Sequence, residues 1–288
     1  MIKYFVSSKE LNIRSLIINY FFPPKNIIIE REGDKKLSPF FLLNVIYTYF
    51  VIIFEKGKKM SELKISDLIK LQAWDTPTIC NALDIAAPER RTVGFTSKPL
   101  VPVGIHGSVC GYVKTAKIGG KNKPLDNAKE IRTSYYKYIS EEPKPSIVLI
   151  EDTDNPEGFG AFWGEVNSAI HLGLGVNGLV TNGVIRDLDQ WANGFSALAG
   201  SIGPSHAFTQ VLEFSSEVNI YGMQANDSDI VHFDKHGAVI IPREVIKILP
   251  NIIEKQMDKE SVILEAARSP NFTIDKLLSA MKNADEIH

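Results

Sequence analysis

The stretch from Gly158 to Gly200 constrains the fold of this chain more than any other part of it. Its first 34 residues read GFGAFWGEVNSAIHLGLGVNGLVTNGVIRDLDQW. Just upstream, 146–150 (SIVLI) is a short continuous apolar run ending in Glu151 and Asp152, the pattern of a buried strand. A glycine-containing loop follows, then a helix over about 163–172 with Val166, Ala169 and Ile170 as its apolar stripe. Gly173 and Gly175 end that helix, 176–181 reads as the next strand, and Asn182-Gly183 turns the chain into Arg186-Asp187. This βαβ-like order predicts an α/β fold. It places two loops, 151–163 and 182–187, beyond the carboxyl ends of neighbouring strands, where open α/β sheets bind their ligands.

Residues in those loops have usable chemistry. A helix opening near Gly164 would aim free backbone N–H groups and its positive dipole end into the crevice, which suits a carboxylate or phosphate. Asp187 could bind Mg²⁺ or Mn²⁺ through one oxygen and leave positions for water and substrate. Arg186 could grip a carboxylate or stabilise an enolate oxygen. Physics alone leaves a second reading open, in which Arg186-Asp187 is a helix cap with a surface ion pair and Glu165 merely complements a helix dipole.

Around this centre, 65–72 reads as a short helix, and Asp75-Thr76-Pro77 as the cap and first turn of a second helix over 78–83. Alternation at Val101, Val103, Ile105, Val109, Gly111 and Val113 suggests strands. The stretch 121–129 is polar and loop-like. Strands are expected at 196–199, 211–219, 230–233 and 238–241, followed by a helix over 243–259 and a second over 261–268.

Residues 1–59 differ from the rest. They contain no Ala, Gln or Trp and carry ten Lys and Arg against five Asp and Glu. The apolar run 40–54 is fifteen residues long, short of the roughly 20 that a membrane span needs, and no small-residue cleavage site follows it. Three readings stand: a membrane or targeting segment, an ordered extension, or upstream sequence translated from a misplaced start, with Met60 as the natural beginning. The third fits best, because the residue types are those of A/T-rich codons. The expected organisation is thus an atypical extension over 1–59 and one domain over 60–288 with a helical tail from about 243.

A net charge of −2 with 23% charged residues gives no basis for a nucleic-acid or membrane partner. Two cysteines without CxxC spacing argue against a disulfide framework or zinc ribbon and suit the reducing cytoplasm. His106, His171, His206, His232 and His236 show no metal-ligand spacing, although His206 lies in a loop that could reach the pocket. Cys80 reads as a small buried residue. Trp163 and Trp191 suit either core packing or a pocket wall, and Asp189 a solvated first-turn acid.

The segments Gly164-Glu165, Gly175-Val176-Asn177-Gly178-Leu179-Val180 and Asn182-Gly183-Val184-Ile185-Arg186-Asp187 closely resemble the regulator-of-RNase-E-activity-A-like family. That family includes 4-hydroxy-4-methyl-2-oxoglutarate/4-carboxy-4-hydroxy-2-oxoadipate aldolases. Thr76 to Leu83, Gly111 to Ala116, Asp229 to Asp234 and Gly237 to Pro242 extend the likeness, which covers roughly 63–266. The resemblance implies a swivelling β/β/α fold, phosphohistidine-domain-like, with a C-terminal helical extension. It also implies a homotrimer or hexamer with active sites at subunit interfaces. The implied activity is that of a lyase, a divalent-metal (class II) aldolase using Mg²⁺ or Mn²⁺. Such an enzyme cleaves a C–C bond of a small 2-oxo acid to release pyruvate, with oxaloacetate decarboxylation as a side activity. Carried over, Asp187 is the metal ligand, Arg186 the substrate-binding arginine, and the backbone of Gly164, Glu165, Val166 and Asn167 the cradle of the pyruvoyl carboxylate. Glu165 stands where these aldolases carry Asp and would orient a catalytic water. The alternative from another class is a non-enzymatic regulator that binds a ribonuclease or other protein. The presence of Asp187 favours the enzyme. A menaquinone methyltransferase is set aside for want of a glycine-rich methyl-donor loop.

Overall fold

A computed structural model describes residues 2–6, 27–31 and 63–287. The apolar run 40–54 and Met60 lie outside the described residues. The chain divides into Met1–Ser61 and Glu62–His288. In the first unit, strands β1 (Ile2–Val6) and β2 (Ile27–Arg31) pair in parallel, with Ile2 opposite Ile27. Among the described residues, no helix is long and apolar enough to cross a membrane.

The second unit opens with helices α1 (Ile65–Leu71) and α2 (Thr76–Ala86). The Asp75 carboxylate caps α2 as the sequence predicts, accepting from Thr78 N–H at 2.9 Å, with Pro77 in the first turn. Strand β3 (Val101–Val103) leads to β4 (Val109–Gly119), then α3 (Ala128–Ser140), β5 (Ser146–Asp152) and a short β6 (Ala161–Trp163). Helix α4 (Glu165–Gly173), β7 (Val176–Thr181), β8 (Val184–Ile185), β9 (Ser196–Ala199) and β10 (Ser201–Ile202) follow. The chain continues as β11 (Gln210–Phe214), β12 (Val218–Ile220), β13 (Met223–Ala225), β14 (Ile230–Asp234) and β15 (Gly237–Ile241). Two helices, α5 (Leu249–Ala267) and α6 (Ile274–Asp285), close it.

Eight strands form one mixed sheet in the order β15-β14-β4-β5-β7-β9-β3, with β11 also on β4. Strand β4 is its pivot. Residues 109–112 pair antiparallel with β14 and 116–119 antiparallel with β11, while Tyr112 to Ile118 run parallel to β5. One long strand that changes partners halfway curls the sheet into a half barrel. Strands β5, β7 and β9 continue in parallel. Successive side chains of a strand point to opposite faces, and the buried residues sort accordingly. Val148, Ile150, Leu179, Ala197 and Ala199 face a core built on Tyr135, Ile139, Trp163 and Phe195. Ile147, Leu149, Val180 and Leu198 face the other way, onto Phe233 and the β12–β13 hairpin. A third core joins α1, α2 and α5 over Cys110, Tyr112 and Val239.

Several elements differ from the sequence reading. Helix α3 is not in it. The apolar stripe of this helix is Ile131, Tyr135 and Ile139, two aliphatics and a tyrosine among polar residues. The strand expected over 211–219 is two strands, broken by Ser215 at φ 59°. Turns occupy 243–248, and the helix starts at Leu249, where Pro250 fits the first turn. With no breaker near Glu260, that helix runs unbroken to Ala267, and α6 follows without a counterpart in the reading.

Two histidines are core residues. His232 is fully buried, its Nδ1 3.0 Å from Thr76 Oγ1 and its Nε2 3.2 Å from the Leu71 carbonyl. His171 is fully buried, its Nδ1–H donating to Asn167 O at 2.7 Å and its Nε2 accepting from Tyr135 Oη at 2.8 Å. Burial pushes each down from 6.5 to about 4.

Two predictions follow from the cores. Leu149→Ala removes a fully buried side chain from a central strand and should cost about 2–5 kcal/mol, read as a lower urea midpoint at unchanged slope. The histidines bear on acid stability. The unfolded chain protonates them near pH 6.5 and the folded chain only near 4, so the unfolded state holds more protons in that window. Stability should be full above pH 6.5 and fall as pH drops toward 4, by up to about 1.4 kcal/mol per pH unit for each histidine. Urea titrations at pH 7.5, 5.5 and 4.5 check this, and a flat profile would contradict it.

Candidate functional site

The parallel pairing of β6 with β8 is extended by Arg186 N–H, which donates to Trp163 O at 2.9 Å. Gly164 and Asp187, the residues that follow, are thereby brought side by side. The approach is so close that a Cβ built on Gly164 would run into Asp187 Oδ2. A side chain at this position would push the Asp187 carboxylate aside, whereas the backbone of Gly164 is extended and makes no demand for glycine. Asp187 has the unusual backbone, φ 55° and ψ 45° in the left-handed region. For a residue with a side chain this costs about 1–2 kcal/mol, although Asp and Asn tolerate it better than most.

The contacts of Asp187 go toward offsetting that cost. Its carboxylate makes no capping bond to the 3-10 turn Leu188–Gln190. Oδ2 accepts from Glu165 N–H at 3.3 Å and lies 3.4 Å from Arg186 Nε. Both side chains are about a third exposed, at 36% and 37%, and such ion pairs contribute about 0–1 kcal/mol. The side chain therefore meets the first turn of α4 at Glu165 instead of the turn that follows it, and its ion pair with Arg186 is an exposed one. Strained residues of this kind cluster at functional sites. Oδ1 has no hydrogen-bond partner among the described residues.

Helix α4 starts at Gly164, and the backbone N–H groups of Val166 and Asn167 have no acceptor among the described residues. Its first turn is held from below. Asn167 Nδ2 donates to Phe162 O at 2.6 Å, Tyr136 Oη donates to Asn167 Oδ1 at 3.0 Å, and His171 secures the Asn167 carbonyl. Tyr136 sits on α3, so this bond ties α3 to α4. Burial raises its phenol, and the charge of Arg132 opposes that rise.

These elements enclose a cleft of 490 Å³. Gly164, Val166, Asn167, Arg186 and Asp187 all line it, as does His206; Glu165 is exposed on the first turn of α4 and is not among the lining residues. The wall the sequence reading missed comes from α3, with Lys129, Arg132 and Tyr136, and from β11 and the residue before it, with Thr209 and Gln210. The signal was there in the 3.6-residue spacing of Ile131, Tyr135 and Ile139, which marks the buried face and so turns the other face to the cleft. Trp163 is fully buried in the core, and Trp191 is half-buried with its Nε1 donating to Phe195 O at 2.7 Å. A second cleft of 540 Å³, lined by Arg90, Glu217, Asp229, Arg243 and Glu244 among others, carries both signs of charge and none of these residues.

Among the described residues, no three His, Cys, Asp or Glu side chains converge as a metal cage. A single carboxylate with a free oxygen on a roomy cleft suits Mg²⁺ or Mn²⁺, which keep several waters and are completed by substrate oxygens.

Known structures share the architecture. A structure described as a novel cellulase from microbes associated with the gut ecosystem is 20% identical, with a TM-score of 0.60, over 71% of this chain and 89% of that one. An uncharacterized protein from Pseudomonas syringae pv. tomato is 20% identical, with a TM-score of 0.58, over 78% and 97%. RraAS2 of Streptomyces coelicolor, described as an unusual member of the RNase ES inhibitor RraA protein family, is 18% identical, with a TM-score of 0.54, over 69% and 96%. At these identities the likeness is one of fold, the swivelling β/β/α architecture with C-terminal helices. No curated protein matches the sequence significantly. The sequence profile described as RraA-like, Aldolase/RraA, matches residues 76–240, a span that contains every residue of the Gly164–Asp187 cleft, and the chain belongs to the RraA-like family.

Proposed function

We propose that this protein is a lyase that cleaves a C–C bond of a small 2-oxo acid, such as 4-hydroxy-4-methyl-2-oxoglutarate or oxaloacetate, and releases pyruvate. The observation that carries the reading is Asp187. Its carboxylate stands beside Gly164 on a cleft lined by basic side chains, with Oδ2 engaged and Oδ1 without a hydrogen-bond partner among the described residues. The family description, which joins aldolases with RraA proteins, is compatible with it.

In this reading Asp187 is the protein ligand of Mg²⁺ or Mn²⁺. When bound, the ion would supply Lewis-acid stabilisation of the charge that develops on the 2-oxo acid. The free N–H groups of Val166 and Asn167 take the pyruvoyl carboxylate at the positive end of α4. As the C–C bond breaks, its electron pair stays with the pyruvyl fragment and the negative charge spreads to the keto oxygen. Arg186 is the guanidinium that stabilises that charge. In the aldol case Glu165, reaching the cleft through a water, accepts the proton of the distal hydroxyl as that carbon becomes a carbonyl, and a proton returned through water to the enolate carbon gives pyruvate. Decarboxylation needs only the electron sink. The enzyme would act in the cytoplasm as a homotrimer or hexamer, with a neighbouring subunit completing each site.

Pyruvate release from oxaloacetate and from 4-hydroxy-4-methyl-2-oxoglutarate should require Mg²⁺ or Mn²⁺ and stop with EDTA. Asp187→Asn tolerates the same left-handed backbone, so it should keep the fold while abolishing both activities. Arg186→Ala should lower kcat by about 10²–10³-fold. Metal-independent turnover, or an active Asp187→Asn variant, would sink the proposal. A folded protein that binds metal and turns over neither substrate would leave the regulatory binding protein in its place.

A further inference from the structure

Aldol cleavage and decarboxylation both leave a carbon that must take up a proton, and the cleft holds few groups able to give one. Its ionisable side chains are Lys129, Arg132, Tyr136, Arg186, Asp187 and His206. Guanidinium and ammonium groups are poor proton donors at neutral pH. Neither Lys129 nor Arg132 has a carboxylate within 4.0 Å among the described residues, and their charge serves to gather anions on that wall. Burial raises the Tyr136 phenol, whose hydrogen is engaged to Asn167 Oδ1 at 3.0 Å. Asp187 faces Arg186 and is the ligand of the ion in the reading above. Histidine is the side-chain type that gains and loses a proton near neutrality, and His206 is the one histidine among the lining residues.

The loop that carries His206 lies between β10 and β11 and is pinned from Ser205 to Thr209. Ser205 O accepts from Ala161 N–H at 2.9 Å, and Ser205 Oγ accepts from Ala207 N–H at 3.1 Å. Thr209 N–H donates to His206 O at 3.0 Å, and Phe208 N–H to Gly120 O at 2.9 Å. Gly160 lies so close beneath that a Cβ there would stand 2.8 Å from His206 O. Ala207 is left-handed, at φ 48°, which costs a residue with a side chain about 1–2 kcal/mol. The carbonyl oxygen of this strained residue lies 2.6 Å from His206 Nδ1. A carbonyl only accepts, so Nδ1 carries the hydrogen and the neutral ring has its lone pair on Nε2. Nε2 has no partner among the described residues, and the side chain is exposed. Most exposed histidines are simply solvated. This one has its tautomer set by its own loop, with a single nitrogen left to work on the cleft.

We propose that His206 is the acid that supplies the proton to the enolate carbon, with Nε2 as its working atom. This rests on the pyruvate-releasing reading above, in which the carbon that loses its bond is left as an enolate. The imidazolium Nε2–H gives its proton through the water that reaches that carbon. The enolate electron pair forms the new C–H bond, the keto C=O re-forms, and the ring returns to its neutral Nδ1–H form. In decarboxylation, solvent restores the proton to Nε2. In the aldol case the proton lost by the distal hydroxyl balances the one gained by the carbon. Run backward, neutral Nε2 takes a methyl proton from bound pyruvate.

The backward step is the test, because it needs no C–C cleavage. The full chain loaded with Mg²⁺ is incubated with pyruvate in deuterated water, and loss of the methyl proton signal is followed by NMR. The wild type should exchange these protons, and His206→Gln should slow the exchange by about 10²–10⁴-fold with pyruvate affinity little changed. Added imidazole should restore part of the exchange in His206→Ala, which it would not do for a merely structural histidine. In the metal-free protein, nitrogen NMR should find the neutral His206 ring protonated at Nδ1, and a ring protonated at Nε2 overturns the inference. So does exchange that is unchanged in His206→Gln, or that is kept there and lost in Glu165→Gln. A wild type that releases pyruvate from oxaloacetate yet exchanges no methyl protons overturns it too, and in each of these cases the lyase reading stands without it. If the wild type neither exchanges pyruvate nor releases it, both fall.

Discussion

The parallel pairing of β5 with β7 is the constraint on which the cleft depends. Its register, with Ile147 opposite Gly178 and Ile150 opposite Thr181, sends two chain segments out from the same edge of the sheet. Each then adds a short strand, β6 and β8, and these pair again in parallel. Because the second pairing is anchored by the first, Gly164 and Asp187 meet at one level although 22 residues separate them in the chain. The alternating apolar residues of β5, β7 and β9 hold that edge by filling cores on both faces. A slip of one residue in any of these strands would exchange its two faces and separate the site.

The site itself rests on a balance of small energies. The left-handed backbone of Asp187 costs about 1–2 kcal/mol, against which stand its bond from Glu165 N–H and its exposed ion pair with Arg186. The supporting network is better satisfied. Tyr136, Asn167, His171 and Tyr135 form a chain of hydrogen bonds in which each donor has an acceptor, with a neutral His171 at its buried end. The first turn of α4 is thus anchored through side chains and the Asn167 carbonyl, which leaves the N–H groups of Val166 and Asn167 free. Rigid support beneath an open donor array is what pre-organised binding of an anion requires.

The two walls of the cleft have different origins. One is made by the loops after β6 and β8, with a helix N-terminus, one carboxylate and one guanidinium. The other is a helix face bearing Lys129, Arg132 and Tyr136. The first wall has the chemistry of a reacting end, and the second has charge without strain.

Much of the first wall was readable from the chain alone, because the features that make it are local. An apolar run, a glycine loop, an amphipathic helix and Asn182-Gly183 each act over a few residues, and the Asp75 cap and Pro77 are local as well. The second wall was less legible. Helix α3 presents tyrosines and only two aliphatics to the core, and nothing in its own sequence tells which distant loop its polar face will meet. The unbroken α5 and the turns before it likewise depend on packing against α2 and on where Pro250 falls. The sequence by itself determined the α/β class, the order of the strands around the site and the identity of Gly164, Arg186 and Asp187. Only the tertiary structure decided that Gly164 lies against the Asp187 carboxylate, that Asp187 is left-handed with an oxygen to spare, and that α3 closes the cleft with two unbalanced cations. Those facts arise from contacts between segments far apart in the chain, and periodicity and propensity, which describe near neighbours, do not encode them one residue at a time.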